Sequence, residues 1–227
     1  MSKVIGLVGG ISWESTAVYY KLLNQLSPRT TNQWQQPRLL IESLDFGQFV
    51  PLTNDERWDE VGELLTSAAQ RLEQAGATVI ALGANTAHRV YGQVASGVAV
   101  PVLDVRVAVA EKLRALGLNS LSLLGTRFTM HGGFYAEKLR ALGIDVVVPT
   151  TEQTQELTRI IYDELTVGIV NEDSRESFIQ IAQACRELGG EAVGLCCTEF
   201  GLLVNENNAP FPFVDSTVAH VEALIRF

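Results

Sequence analysis

Apolar positions along the chain follow two rhythms. Short unbroken aliphatic runs at residues 4–8, 39–44, 79–82, 121–124, 146–148 and 192–196, with a brief pair at 213–214, read as strands. Between them, apolar residues return every three or four positions. Those stretches read as helices over 12–26, 57–75, a short one from Thr86, 102–116, one ending at Leu142, 152–166, 172–188 and 217–225. In the 57–75 stretch Val61, Leu64, Leu65, Ala68 and Leu72 fall on one face, and Gly76 marks its end. Ser12 suits a helix N-cap.

Strands apolar on both faces and alternating with helices predict an α/β fold with parallel sheets. A faint internal repeat refines this. Leu7-Val8-Gly9-Gly10 recurs in kind as Leu123-Leu124-Gly125-Thr126, and residues 81–87 recur as 194–199. The expected organisation is therefore two similar parallel-sheet α/β domains, 1–100 plus 210–227 and 101–209. All four repeated turns follow strand carboxyl ends, where open parallel sheets bind ligands. Two facing halves are expected to pool them in a cleft.

Composition narrows the chemistry. The 227 residues carry 17 Lys and Arg against 26 Asp and Glu, a net charge of −9, and 47% are hydrophobic. Such a chain can bury a core, and its acidity disfavours nucleic-acid partners. No run of about 18 apolar residues occurs, so no membrane partner is expected. The N-terminal stretch lacks a cleavable signal pattern and three cysteines make no disulfide framework, so a cytoplasmic location is expected.

Several cofactor motifs are excluded. The glycines from Gly6 to Gly10 do not spell the dinucleotide fingerprint, and Asp45 lies too far on to be its acidic partner. No lysine follows a P-loop-like turn. His88, His131 and His220 lack metal-ligand spacing, so no metal is expected. Cys196-Cys197 is more informative. Side chains alternate along a strand, so one thiol is expected in the core and the other at the strand end. A thiol beside the N–H groups opening a helix is expected to have its thiolate favoured. Asn85-Thr86-Ala87-His88 is the equivalent turn in the other half, with donors suited to a carboxylate.

Four segments together resemble the aspartate/glutamate racemase family: Gly9-Gly10-Ile11-Ser12-Trp13-Glu14-Ser15-Thr16, Asn85-Thr86-Ala87-His88, Leu124-Gly125-Thr126-Arg127-Phe128-Thr129-Met130 and Cys197-Thr198-Glu199. They occur in the family's order and cover nearly the whole chain. The resemblance implies two α/β domains with the active site between them, no cofactor, a homodimer, and an acidic amino acid as substrate. It implies that two cysteines flank the α-carbon, one removing the α-proton and the other protonating the opposite face. Cys197 matches the second cysteine. The position of the first is Ala84, which can neither take nor give a proton.

The resemblance also implies carboxylate binding by Ser12, Asn85, Thr86, Thr126, Thr129 and Thr198, with Glu199 beside the thiol. Arg57 and Arg127 are candidates for the distal carboxylate, which suits the bidentate fork of arginine; the segment 165–168 has no lysine where some relatives carry one, so aspartate and glutamate both stay open. The expected function is interconversion of L- and D-aspartate or glutamate, by a natural one-thiol member or by a chain whose first thiol was replaced to trap substrate. The alternatives are a single-cysteine decarboxylase of the arylmalonate type and a dicarboxylate-binding protein without catalysis.

Overall fold

A computed structural model describes residues 3–227. The chain divides into two compact units. One runs to Asp104 and resumes at His220–Phe227, and the other is Val105–Ala219. Residues 210–219 thus belong with the second unit, not the first as expected, because the strand at 213–215 pairs there. Among the described residues no helix is long and apolar enough to cross a membrane.

The first unit contains β1 (Val4–Gly9), α1 (Trp13–Leu26), β2 (Arg38–Ser43), α2 (Phe46–Asn54), α3 (Trp58–Gln74), β3 (Val79–Leu82), a 3-10 turn (Thr86–Val90), α4 (Tyr91–Ser96) and β4 (Val102–Leu103). Its sheet is parallel in the order β2-β1-β3-β4. The second unit has α5 (Val105–Ala115), β5 (Ser120–Gly125), α6 (Arg127–His131), α7 (Phe134–Ala141), β6 (Asp145–Val147) and α8 (Thr151–Arg159). A π-helical turn (Ile160–Glu164) and a 3-10 turn (Leu165–Val167) lead to α9 (Glu172–Glu187) and β7 (Ala192–Cys196). A 3-10 turn (Thr198–Leu202), β8 (Phe213–Asp215) and α10 (Ser216–Arg226) complete the chain. The second sheet, β6-β5-β7-β8, has the same strand order and is also parallel. The internal repeat is therefore a repeat of topology.

The strands β1, β3, β5 and β7 are buried along their whole length, which is why they read as continuous apolar runs. Several elements differ from this reading. The helix expected over 102–116 begins only at Val105, because Val102 and Leu103 pair with Ile80 and Ala81 as an edge strand. The helix expected over 152–166 ends at Arg159 and continues as the π turn, where the Leu165 N–H reaches the Ile160 carbonyl. The helix α2 escaped the periodicity reading because Pro51 lies inside it. It begins at Asp45, whose carboxylate accepts from the Gly47 N–H at 2.9 Å.

Each unit has its own core. In the second, Phe178 on α9 stacks obliquely on Phe200, with centroids 4.7 Å apart, among Leu157, Ile160, Leu195 and Leu203. In the first, one layer joins α3 to the sheet through Val61, Leu65, Ala68 and Ile80. The other joins α1 and the final helix through Tyr19, Leu23, Val221 and Leu224. A polar pin fixes the final helix there. The His220 Nε2–H donates to the Leu103 carbonyl at 3.1 Å, and the Tyr19 hydroxyl donates to His220 Nδ1 at 2.9 Å.

Phe178→Ala should lower unfolding free energy by about 3–5 kcal/mol, the usual cost of emptying a buried aromatic site; urea titration checks this. Burial, reinforced by His88, pushes the His220 pKa down to about 3. The unfolded chain binds this proton below about pH 6.5, whereas the native chain refuses it until about pH 3. Stability should therefore fall with pH across that window, at up to about 1.4 kcal/mol per pH unit from this group. His220→Gln should show a shallower decline in urea midpoint between those limits, and parallel profiles would refute the assignment.

Candidate active site

The strand register places two turns side by side in each unit. In the first, Val8 lies opposite Leu82, so the turn after β1 is level with the one after β3. Gly10 makes that first turn at φ 77°, and a Cβ there would lie 2.1 Å from the Leu44 carbonyl oxygen, so only glycine fits. Ser12 then caps α1, accepting from the Ser15 N–H at 3.4 Å. The turn after β3 carries half-buried Ala84 and buried Asn85, Thr86 and His88. His88 stacks on Tyr91 and donates from Nδ1 to the Ala84 carbonyl at 3.0 Å. That bond fixes the backbone at the position where the resemblance implies a first cysteine.

In the second unit Gly125 lies opposite Cys196, which levels Thr126 with Cys197. A Cβ on Gly125 would come within 2.8 Å of the Cys196 carbonyl oxygen. Thr126 caps α6 by accepting from the Thr129 N–H at 3.3 Å. The Thr129 side chain is fully buried, with its hydroxyl 3.2 Å from that of Thr126, so it supports the turn. Arg127 follows, its guanidinium 4.6 Å above the Phe128 ring.

The two adjacent thiols have different surroundings, as strand alternation requires. Cys196 points into the core and donates to the Tyr135 hydroxyl at 3.5 Å, and burial pushes its pKa up to about 12. Cys197 is 8% exposed and donates its proton to Glu199 Oε2 at 2.9 Å. The Thr198 hydroxyl donates to the same oxygen at 2.7 Å. Burial first, and the Glu199 charge second, hold the Cys197 thiol well above its ordinary range. The expectation of a favoured thiolate is therefore overturned. The element after Cys197 is a five-residue 3-10 turn with little dipole, and a carboxylate stands where a cation would have been needed.

The structure thus groups Thr126, Thr129, Cys197, Thr198 and Glu199 on adjacent turns of the second sheet, and Ser12, Ala84, Asn85 and Thr86 on adjacent turns of the first. Arg57 is paired within its own helix. It opens α3 half-exposed, and its Nε and Nη2 each donate to a Glu60 carboxylate oxygen at 2.6 Å, so its fork is engaged by its own helix. Sequence reasoning also passed over Tyr162, whose phenol pKa is pushed up to about 12, mainly by burial. No spacing signal marks it, because it sits on a π turn.

The Asp/Glu/Hydantoin racemase family model matches residues 8–224. The crystal structure of an aspartate racemase homologue from Pyrococcus horikoshii is 37% identical, with a TM-score of 0.85 over 100% of this chain and 98% of that one. A Yersinia pestis protein named for the Asp/Glu racemases is 35% identical, with a TM-score of 0.90 over 99% of this chain and 98% of that one. The broad specificity amino-acid racemase RacX of Bacillus subtilis is 25% identical over 149 residues, and the match spans 63% of each chain. With the family's motifs on adjacent turns at the ends of both sheets and its model matched over nearly the whole length, this chain belongs to the Asp/Glu/hydantoin racemase family.

Proposed function

We propose that the protein exchanges the α-proton of an amino acid, with aspartate and glutamate as the leading substrates, and that Cys197 is the thiol that carries the proton. The observation that carries this reading is the Cys197 Sγ–Glu199 Oε2 contact of 2.9 Å at the end of a buried strand. A thiol held protonated is ready to give a proton to a carbanion. In the reverse direction Glu199 takes the thiol proton, and the resulting thiolate removes the α-proton, leaving its electron pair on the enediolate of the substrate carboxylate. Hydrogen-bond donors aimed at that developing charge lower the barrier. We assign that role to Thr126 and Thr198, on the turns level with Cys197.

The reading is supported by family membership and by the relatives' named activities, an aspartate racemase homologue among them. RacX, named for broad specificity, is the reason to test neutral amino acids as well. Ala84 favours one second reading. A single thiol protonating one face of an enediolate is the chemistry of a one-cysteine decarboxylase, and a methyl group at position 84 leaves only Cys197 as the thiol of this pair.

Proton NMR in heavy water tests both. The α-proton signal of aspartate or glutamate should decay with the native chain, and Cys197→Ala should abolish that decay. Ala84→Cys should raise the rate of inversion by at least about tenfold, since proton transfer by a positioned group contributes roughly 10²–10⁴-fold. Exchange that survives Cys197→Ala sinks the assignment. Loss of carbon dioxide from disubstituted malonates, without any exchange of amino acids, would establish the second reading.

Glu199→Gln separates the two roles of the carboxylate. Removing its charge should lower the Cys197 pKa, so alkylation of this thiol by iodoacetamide near pH 8 should quicken. Proton exchange should slow in the same variant, because its base is gone.

A further inference from the structure

Proton transfer as proposed uses one thiol of the adjacent pair and leaves Cys196 without a task. Packing alone does not call for a thiol there. The side chain is fully buried, and an alanine or valine would fill such a place with no polar atom to satisfy. The Cys196 thiol instead donates to the Tyr135 hydroxyl at 3.5 Å. Tyr135 reaches it from α7 and is itself fully buried, so bulk water cannot replace a lost partner.

This bond lies where the sheet gives out. Pairing with β5 ends at Cys196, opposite Gly125, and pairing with β8 ends one residue earlier, with Leu195 opposite Asp215. Among the described residues Cys197 has no strand partner. Its backbone stays extended, at φ −130° and ψ 129°, and the 3-10 turn begins at the next residue. Two buried side chains brace this strand end. Tyr135 holds the Cys196 thiol, and the Ser216 hydroxyl, at the start of α10, donates to the Leu195 carbonyl at 2.9 Å. Cys196 and Cys197 share one planar peptide, so rotation of the backbone at Cys196 swings the Cys197 side chain. The 2.9 Å bond from that side chain to Glu199 tolerates little swing before it leaves hydrogen-bonding range.

We infer that Cys196 is a positioning residue for Cys197: bonded to Tyr135, it fixes the end of β7 in the rotation that holds the Cys197 thiol on Glu199. The inference deepens the proposed function and rests on Cys197 as the reacting thiol. Cys196 itself moves no proton, and Tyr135 acts only through it.

Alkylation tests this without turnover. The readout is the rate at which iodoacetamide labels Cys197 near pH 8, followed by mass spectrometry with fragment ions that separate position 196 from 197. Cys185, buried on α9 of the same unit, is the internal control for general loosening. Moved off Glu199, the Cys197 thiol should give up its proton more readily and react faster. Cys196→Ala and Tyr135→Phe each remove one side of the bond. Each should quicken labelling of Cys197 about fivefold, the worth of one ordinary hydrogen bond, with Cys185 unchanged. Combining the two should add nothing, because either one already breaks the same bond. Cys196→Ser keeps a donor and should restore the native rate. An unchanged Cys197 rate in both single variants overturns the inference. So does a parallel rise at Cys185, which a merely structural bond would give. Tyr135→Phe keeps the ring in place and decides the matter if Cys196→Ala does not fold. The expected pattern in a chain that exchanges no α-proton would uphold the positioning role while removing the racemase reading.

Discussion

Parallel register is the constraint on which the rest depends. In a parallel sheet, neighbouring strands run the same way, so their carboxyl ends lie together and the turns that leave them are neighbours. Here Val8 lies opposite Leu82 and Gly125 lies opposite Cys196. Those pairings set the turn that leads to Ser12 level with the turn that carries Ala84 in one unit, and Thr126 level with Cys197 in the other. Close strand packing then dictates the residues that can occupy the turns. Gly10 and Gly125 stand where a side chain would strike a backbone carbonyl. Chemistry-bearing residues occupy the next positions, the first places where a side chain leaves the sheet.

The same geometry sets the electrostatics. Cys196 ends the strand in the core, and Cys197 is the next residue, still nearly buried. Losing water destabilises a thiolate by far more than one turn of 3-10 helix can restore, since a surface helix terminus contributes only about 0.3–1 kcal/mol. Glu199 adds its own negative charge. The thiol therefore holds its proton and donates it in a hydrogen bond to Glu199.

The two units share strand order but differ in how they spend their polar residues. The first commits its histidines to architecture. His220 links α1, β4 and the final helix, and its ring stays neutral because it is fully buried. His88 holds the Ala84 carbonyl. The second unit instead puts Thr198 and Glu199 beside the Cys197 thiol and braces the π turn with Arg159, Glu164 and Ser174. Topological symmetry thus carries a chemical asymmetry, with a histidine-braced turn in the first unit and a thiol–carboxylate turn in the second.

Much of this was legible before any coordinates. Continuous aliphatic runs can only be strands covered on both faces, so the α/β class and the repeat followed from the pattern. Cys197, Thr198 and Glu199 stood out because a reactive residue type closes an apolar run. Short or interrupted elements were not legible. Pro51 hid α2, two residues are too few to announce β4, and a π turn breaks the 3.6-residue rhythm that reveals helices. Tertiary structure alone decided the rest. It assigned β8 to the second sheet through pairing with β7, turned Arg57 toward Glu60, and raised the Cys197 pKa through burial beside Glu199. Periodicity records which face of an element is dry. It carries no information about which charged group lies nearest, and proton affinity depends on that.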